Sequence, residues 1–268
     1  MKIFIDPGHG GRDPGAVDNG LYEKYLTLDI SLKQKKLFEK LGHQVKLSRN
    51  TDKYISLSER TREANRWGAD IFISNHINAG GGNGTEVWHS INGGKGKQYA
   101  TNIEKNLSKI FKSRGIKSRR GRYGDYLYVI RATNMPAVLN EFGFIDNISD
   151  AKKLKREDIK QKCAEAVVYG ILGQRIPNDE QTISKVVPKV APKVAPNLQR
   201  LLRYSLPMLR GEDVKLLQKK LNQLGFNTGV ADGVFGRKTE SAVKEYQKDN
   251  RLVIDGIVGE NTWGRLVS

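Results

Sequence analysis

Three short apolar runs, each ending in a polar break that carries a histidine or a carboxylate, constrain this chain more than any other feature. Ile3-Phe4-Ile5 is broken by Asp6-Pro7-Gly8 and delivers His9 into a loop with Gly10 and Gly11. Asp70-Ile71-Phe72-Ile73-Ser74-Asn75 delivers His76, and Pro136-Ala137-Val138-Leu139-Asn140 delivers Glu141, followed by Gly143. Short apolar runs bounded by turn residues read as buried strands. If the three lie parallel in one sheet, His9, His76 and Glu141 emerge at the same edge, where open α/β sheets collect ligands. The first loop has neither a GxGxxG fingerprint nor a phosphate-loop lysine, which argues against nucleotide binding.

Neutral imidazole is a common zinc ligand, and a catalytic zinc takes three protein ligands with one position left open. Two histidines need a third partner. With Cys163 the single cysteine, that partner is an Asp or Glu, and the residues alone leave Asp13, Asp18, Glu23 and Asp29 all open.

Between the strands the spacing is helical. Glu23 opens an amphipathic stretch through Leu26, Ile30, Leu37 and Leu41, ended by Gly42. A strand is expected at Val45–Ser48, a helix over Ser58–Trp67 and a strand at Thr85–Ser90. Further helices are expected over 97–112 and 149–173. His43 reads as a turn residue and His89 as a structural strand residue. The basic run from Lys112 to Arg122 reads as a solvated loop after a helix. Strands alternating with helices predict a three-layer α/β domain with a mainly parallel sheet.

Four segments in order carry a family resemblance: Asp6-Pro7-Gly8-His9-Gly10-Gly11, Asn19-Gly20-Leu21-Tyr22-Glu23-Lys24, Ser74-Asn75-His76-Ile77-Asn78-Ala79 and Leu139-Asn140-Glu141-Phe142-Gly143-Phe144-Ile145. Together, over about residues 1–175, the chain resembles the zinc-dependent N-acetylmuramoyl-L-alanine amidases, peptidoglycan hydrolases of bacteria and their phages. The resemblance implies a mixed six-stranded sheet, one catalytic zinc on His9, Glu23 and His76, and Glu141 as catalytic acid/base. Arg60, in an Arg60-x-x-x-Ala64-Asn65 pattern also found in the family, and Asn78 are candidates for substrate binding. For Arg60 a structural role is an equal alternative. Asn75 and Asn140 depart from the family, which usually has apolar residues there.

The net charge of +17 admits a rival reading as a nucleic-acid binder. Residues 198–268 hold 12 Lys/Arg against 8 Asp/Glu and the remainder 34 against 21, so the charge sits mainly in the first part. There is no recognition-helix, zinc-finger or RNA-binding aromatic signature, so specific nucleic-acid binding is not expected. The same field would draw the protein to anionic wall polymers, or to DNA without sequence specificity, and the latter, a non-specific nucleic-acid binder, is the weaker alternative. No apolar run approaches the roughly 20 residues of a membrane span. Met1-Lys2 leads directly into the first strand, so the expectation is synthesis in the cytoplasm without a signal peptide. The protein would then reach the wall through a holin-type pore or after cell lysis. A single cysteine permits no internal disulfide, and a monomer is expected.

From 177 to 197 the composition shifts to Val187-Pro188-Lys189-Val190-Ala191-Pro192-Lys193-Val194-Ala195-Pro196, a semi-rigid linker. It divides a catalytic domain, 1–176, from a smaller unit, 198–268. There, helical faces at Leu216–Leu224 and Lys238–Asp249 and a short third helix around Trp263 surround two matching loops. These are Asp232-Gly233-Val234-Phe235-Gly236-x-x-Thr239 and Asp255-Gly256-Ile257-Val258-Gly259-x-x-Thr262, whose threonines are expected to cap the following helices. This pattern resembles the three-helix, all-α peptidoglycan-binding domain. The whole chain thus reads as an amidase cleaving between N-acetylmuramic acid and L-alanine, tied to a wall anchor. A degenerate, binding-only wall protein is the alternative. A glycosidase would need paired carboxylates and gives the histidines no role.

Overall fold

The computed structural model describes residues 1–173, 200–204, 208–250 and 252–267; the linker expected over 177–197 lies outside the described residues. The chain divides into two compact units, Met1–Ile176 and Pro177–Ser268. In the first, β1 (Lys2–Pro7) is followed by a small hairpin, β2 (Val17–Asp18) and β3 (Leu21–Tyr22), then α1 (Glu23–Lys40) and β4 (Gln44–Leu47). Next come α2 (Leu57–Trp67), β5 (Ile71–Asn78), β6 (Thr85–His89), α3 (Gly94–Leu107) and β7 (Ser113–Lys117). A second hairpin, β8 (Arg120–Gly121) and β9 (Gly124–Asp125), precedes α4 (Tyr128–Arg131), β10 (Ala137–Phe144), α5 (Ile148–Leu154) and α6 (Glu157–Ile171).

The main sheet is six-stranded, in the order β4-β1-β5-β10-β6-β7. β1 runs parallel to β4 and β5, and β5 to β10; β6 pairs antiparallel with β10 and parallel with β7. The three apolar runs are therefore adjacent central strands with aligned carboxyl ends. They read as unbroken apolar stretches because both faces are covered. Ile3, Ile5, Ile73, Val138 and Phe142 belong to one core with residues of α1, α3 and α6, while Phe4, Phe72 and Leu139 belong to another with residues of α2 and α4. Phe4 and Phe72 stack at 5.6 Å between centroids. Truncating either to alanine would cost about 3–5 kcal/mol.

Helix ends follow local chemistry. Ser56 caps α2 and exchanges bonds with Glu59 in a capping box, and Gly68 ends the helix at φ 64°. No side chain caps α1. Its first N–H groups, on Glu23 and Lys24, donate instead to the carbonyls of Ala16 and Pro14 at 3.0 and 3.1 Å. That arrangement ties the loop after β1 to the start of α1 and leaves the Glu23 side chain uncommitted to capping.

Several sequence expectations give way. The helix expected over 97–112 stops at Leu107, and the basic run read as a solvated loop contains edge strand β7 and half a hairpin. A strand paired on one side only, with charged residues, carries no apolar signal. The helix expected over 149–173 is two, with Asn147 capping α5 by accepting from Ser149 and Asp150 N–H. Buried Asp29 pairs with Lys33 of its own helix and with Lys160 of α6. Cys163 lies fully buried in the core, where burial pushes its thiol pKa well up.

The second unit holds α7 (Glu212–Gln223), α8 (Arg237–Asp249) and α9 (Glu260–Val267) around Leu217, Phe235, Tyr246 and Trp263. Its two matching loops repeat one hydrogen-bond scheme. Gln218 Nε2 donates to Asp232, the Val234 carbonyl and Thr239, and Gln247 Nε2 donates to Asp255, the Ile257 carbonyl and Thr262. Each glutamine Oε1 also accepts the N–H of the loop glycine, Gly233 or Gly256. Thr239 is therefore no helix cap, since α8 has no side-chain cap; both threonines accept from a buried glutamine instead. No described helix is long and apolar enough to cross a membrane.

Candidate active site

The site is built where β1 ends. Asp6, 1% exposed, accepts Ser48 Oγ at 2.6 Å, Ser74 Oγ at 2.9 Å and Arg60 Nη1 at 2.7 Å. Burial alone would raise its pKa, but the Arg60 guanidinium and the Ser48 hydroxyl hold it below the usual carboxylate range. Arg60 also donates to the carbonyls of Pro7 and His9, at 2.6 and 2.8 Å. Arg49 donates to those of Pro7, Gly8 and Lys24. Two buried guanidiniums thus clamp successive carbonyls of one loop, and His9 is held there at φ 59°, a conformation few non-glycine residues adopt.

Held this way, His9 meets two residues distant in sequence. His9 Nε2 lies 3.1 Å from Glu23 Oε1, and His76 Nδ1 lies 3.0 Å from the same oxygen. The rings of His9 and His76 are edge to face at 4.9 Å. Glu23, 4% exposed, is fixed by the Ile77 N–H on Oε1 at 3.0 Å and the Ala16 N–H on Oε2 at 2.8 Å. Burial works against its charge, yet His76 and His9 hold its pKa far below the ordinary value. On the far side of His9, Nδ1 lies 2.9 Å from Asp13 Oδ2. Burial disfavours the imidazolium, but Glu23 and Asp13 raise the His9 pKa.

Among the described residues, His9, Glu23 and His76 are a group able to hold a metal ion, with one donor atom each within 4.8 Å of one another. The donor set fits zinc: two imidazoles and one carboxylate, without thiolate, as at open zinc sites. Asp13 behind Nδ1 fixes the ring and leaves Nε2 facing the cluster, the usual support of a metal-bound histidine. Two glycines make room. A Cβ on Gly8 would stand 2.5 Å from His76 Cε1, and one on Gly15 would stand 2.6 Å from Glu23 Oε2.

Glu141 sits beside this cluster. Its Cα partners are His76 on β5 and Glu86 on β6. Its Oε2 is shielded from solvent and has no hydrogen-bond partner. Burial raises its pKa well above the usual range, and repulsion from Glu23 and Glu86 adds to this. A shielded carboxyl oxygen without a partner in the protein marks Glu141 as a candidate functional group.

Of the weaker candidates, Arg60 is 2% exposed and donates to Asp6 and to the carbonyls of Ile55, Pro7 and His9. Asn78 lies on the same face as His76, its Nδ2 donating to Glu86 Oε1 at 3.3 Å. His89 makes its contact with the Ser90 carbonyl and His43 lies beside the N-terminus, both outside the cluster. Asn75 and Asn140 point to the opposite sheet face. There Asn140 donates to Asn75, and Asn75 to Ser31 and Gln34 of α1, so this departure from the family is a buried polar network beneath the site. Sequence reading missed Glu86, Arg49 and the supporting role of Asp13; a carboxylate inside the strand-like Thr85–His89 run was the available signal for Glu86.

A family profile described as N-acetylmuramoyl-L-alanine amidase matches residues 3–173, and one described as a putative peptidoglycan binding domain matches 210–266. The sporulation-specific N-acetylmuramoyl-L-alanine amidase of Bacillus subtilis (strain 168) is 44% identical over 176 residues, covering 64% of this chain and 67% of that protein. The endolysin of Bacillus phage SPP1 is 39% identical over 175 residues, covering 63% of this chain and 64% of that one. Among solved structures, an N-acetylmuramoyl-L-alanine amidase from Clostridium difficile 630 superimposes with a TM-score of 0.59 at 34% identity, covering 64% of this chain and 95% of that one. The chain spans about two thirds of the length of these curated relatives.

Proposed function

The chain belongs to the N-acetylmuramoyl-L-alanine amidase family and carries a peptidoglycan-binding domain, and from that premise we propose a zinc-dependent reaction centred on Glu141, serving cell lysis. It is a cell-wall amidase acting on peptidoglycan. His9, Glu23 and His76 would hold the zinc, with Asp13 setting the His9 tautomer. When bound, zinc supplies Lewis-acid polarisation and lowers the pKa of a water toward about 7.

The bond cleaved would join the lactyl carbonyl of N-acetylmuramic acid to the nitrogen of L-alanine. Glu141 takes the proton of the attacking water as the new C–O bond forms, then passes it to the nitrogen as the C–N bond breaks. The products are a lactyl carboxylate and a peptide with a free L-alanine amine. Asp6, Arg60 and Arg49 keep the His9 loop in its uncommon conformation. The C-terminal unit would hold the enzyme on its polymeric substrate, raising the local concentration of scissile bonds.

The observation that carries this reading is the convergence of His9, Glu23 and His76 beside an orphaned Glu141 carboxyl. Digestion of purified cell wall tests it. New L-alanine amino groups are expected, and new reducing sugars in their place would reject the reading. Glu141→Gln should keep its fold and zinc content while losing turnover by roughly 10²–10⁴-fold; wild-type turnover in that variant would remove the acid/base role.

A further inference from the structure

We propose that Arg114 is a receptor for a carboxylate on the stem peptide and sets which peptides the site accepts; this rests on the amidase reading above. Arg114 lies on β7, in the basic run that the sequence offered only as a solvated surface. Its Nε donates to Glu86 Oε2 at 2.9 Å, and its guanidinium stacks on the Phe144 ring at 4.9 Å. Glu86 is 6% exposed and is itself fixed, with Oε1 accepting Trp88 Nε1 at 3.2 Å and Asn78 Nδ2 at 3.3 Å. Yet the Arg114 side chain remains 38% exposed. A guanidinium carries five N–H donors in a planar fork, and among the described residues only Nε has a hydrogen-bond partner. The group is anchored along one edge and unspent along the other. A surface arginine with no purpose beyond solubility needs no such anchoring. A planar fork held in place loses little freedom on binding and matches a carboxylate bidentately.

Its position suits one carboxylate in particular. Glu86, which holds Arg114, is the Cα partner of Glu141 across β6 and β10. Neighbouring strands lie about 4.8 Å apart, which sets the Glu86 backbone roughly 5 Å and the β7 backbone roughly 10 Å across the sheet from Glu141, and the Arg114 side chain reaches back over this window to Glu86. An extended peptide advances about 3.3–3.6 Å per residue. A carboxylate on the second stem residue therefore lies about 7 Å from the scissile nitrogen, within that window. In peptidoglycan this residue is a glutamate joined through its γ-carboxyl, and its α-carboxyl is either free or amidated. Arg114 favours the free acid.

The test compares two soluble muramyl tripeptides that differ only in whether that α-carboxyl is acid or amide, using the full-length zinc-loaded protein. Wild type should prefer the acid by roughly 10–100-fold in kcat/KM, chiefly through KM, as expected for a charge-assisted bidentate pair. Arg114→Gln should bring the ratio close to one, and Arg114→Lys should retain an intermediate preference. Because both substrates see the same enzyme, partial misfolding lowers both rates and leaves the ratio intact. A wild type without preference, or an Arg114→Gln variant that keeps the wild-type ratio while both rates fall, would overturn the proposal; the second outcome marks Arg114 as a prop for Glu86. Release of L-alanine amines from neither tripeptide by wild type would remove the amidase premise itself, a different and recognisable failure.

Discussion

Gly15→Ala should damage the proposed metal site without replacing any of its ligands. Gly15 sits at φ +65°, and a Cβ there would stand 2.6 Å from Glu23 Oε2, 2.7 Å from His9 Cδ2 and 2.9 Å from Glu23 Cβ. Carbon atoms in good contact stand about 3.5–4.0 Å apart, so the neighbours must retreat by roughly 1 Å. Neither can do so freely. Glu23 is held by the N–H groups of Ala16 and Ile77, and His9 by Asp13 and its clamped loop. Metal–ligand distances tolerate about ±0.2 Å, so a shift of that size should weaken zinc by roughly 10–100-fold or more. The left-handed backbone itself costs an L-residue about 1–2 kcal/mol. Gly42→Ala isolates that cost, because Gly42 has φ +80° and its Cβ would meet nothing within 4 Å. The assay is competition for zinc against a chelator of known affinity, with circular dichroism and Tm on both variants. Both should lose similar backbone stability, and only Gly15→Ala should lose zinc. Zinc affinity in Gly15→Ala within twofold of Gly42→Ala would refute the steric argument.

Two further outcomes follow from other parts of the molecule. Asp6 has a folded pKa below its ordinary value; its stabilisation is therefore complete above about pH 4 and lost as pH falls through the folded pKa. Asp6→Asn should be less stable at pH 7 and show a flatter stability profile in acid, measured by urea unfolding across pH 2–7 (about the carboxylate range); an unchanged acid slope would remove Asp6 from the account. A fragment ending at residue 176 should still cleave soluble muropeptides yet work less well on intact walls at physiological ionic strength, where screening removes the non-specific attraction of its basic surface. Equal wall binding by fragment and full chain would end the anchor reading.

What the sequence settled by itself was local. Three apolar runs with polar breaks announced buried strands with chemistry at their carboxyl ends, because burial on both faces demands an unbroken apolar stretch. Leu26, Ile30 and Leu37 marked α1, and the doubled Asp-Gly loops marked the C-terminal unit, because turns and helical faces are fixed by short-range sterics. The third member of the candidate metal-holding group was beyond that reach. Asp13, Asp18, Glu23 and Asp29 were equal on residue type, and only the fold separated them. Asp13 stands behind His9, Asp29 pairs with Lys33 and Lys160, Asp18 accepts the Asn19 N–H, and Glu23 alone lies between the two histidines. Arg60 and Arg114 show the same limit in opposite directions. Arg60, which the sequence left equally open as a substrate contact or a structural residue, is buried on Asp6, and Arg114, read as part of a solvated loop, is held by Glu86. Strand order decided both. Which strands become neighbours depends on how the whole sheet closes over its two cores, and no short window of sequence carries the signature of a partner more than fifty residues away.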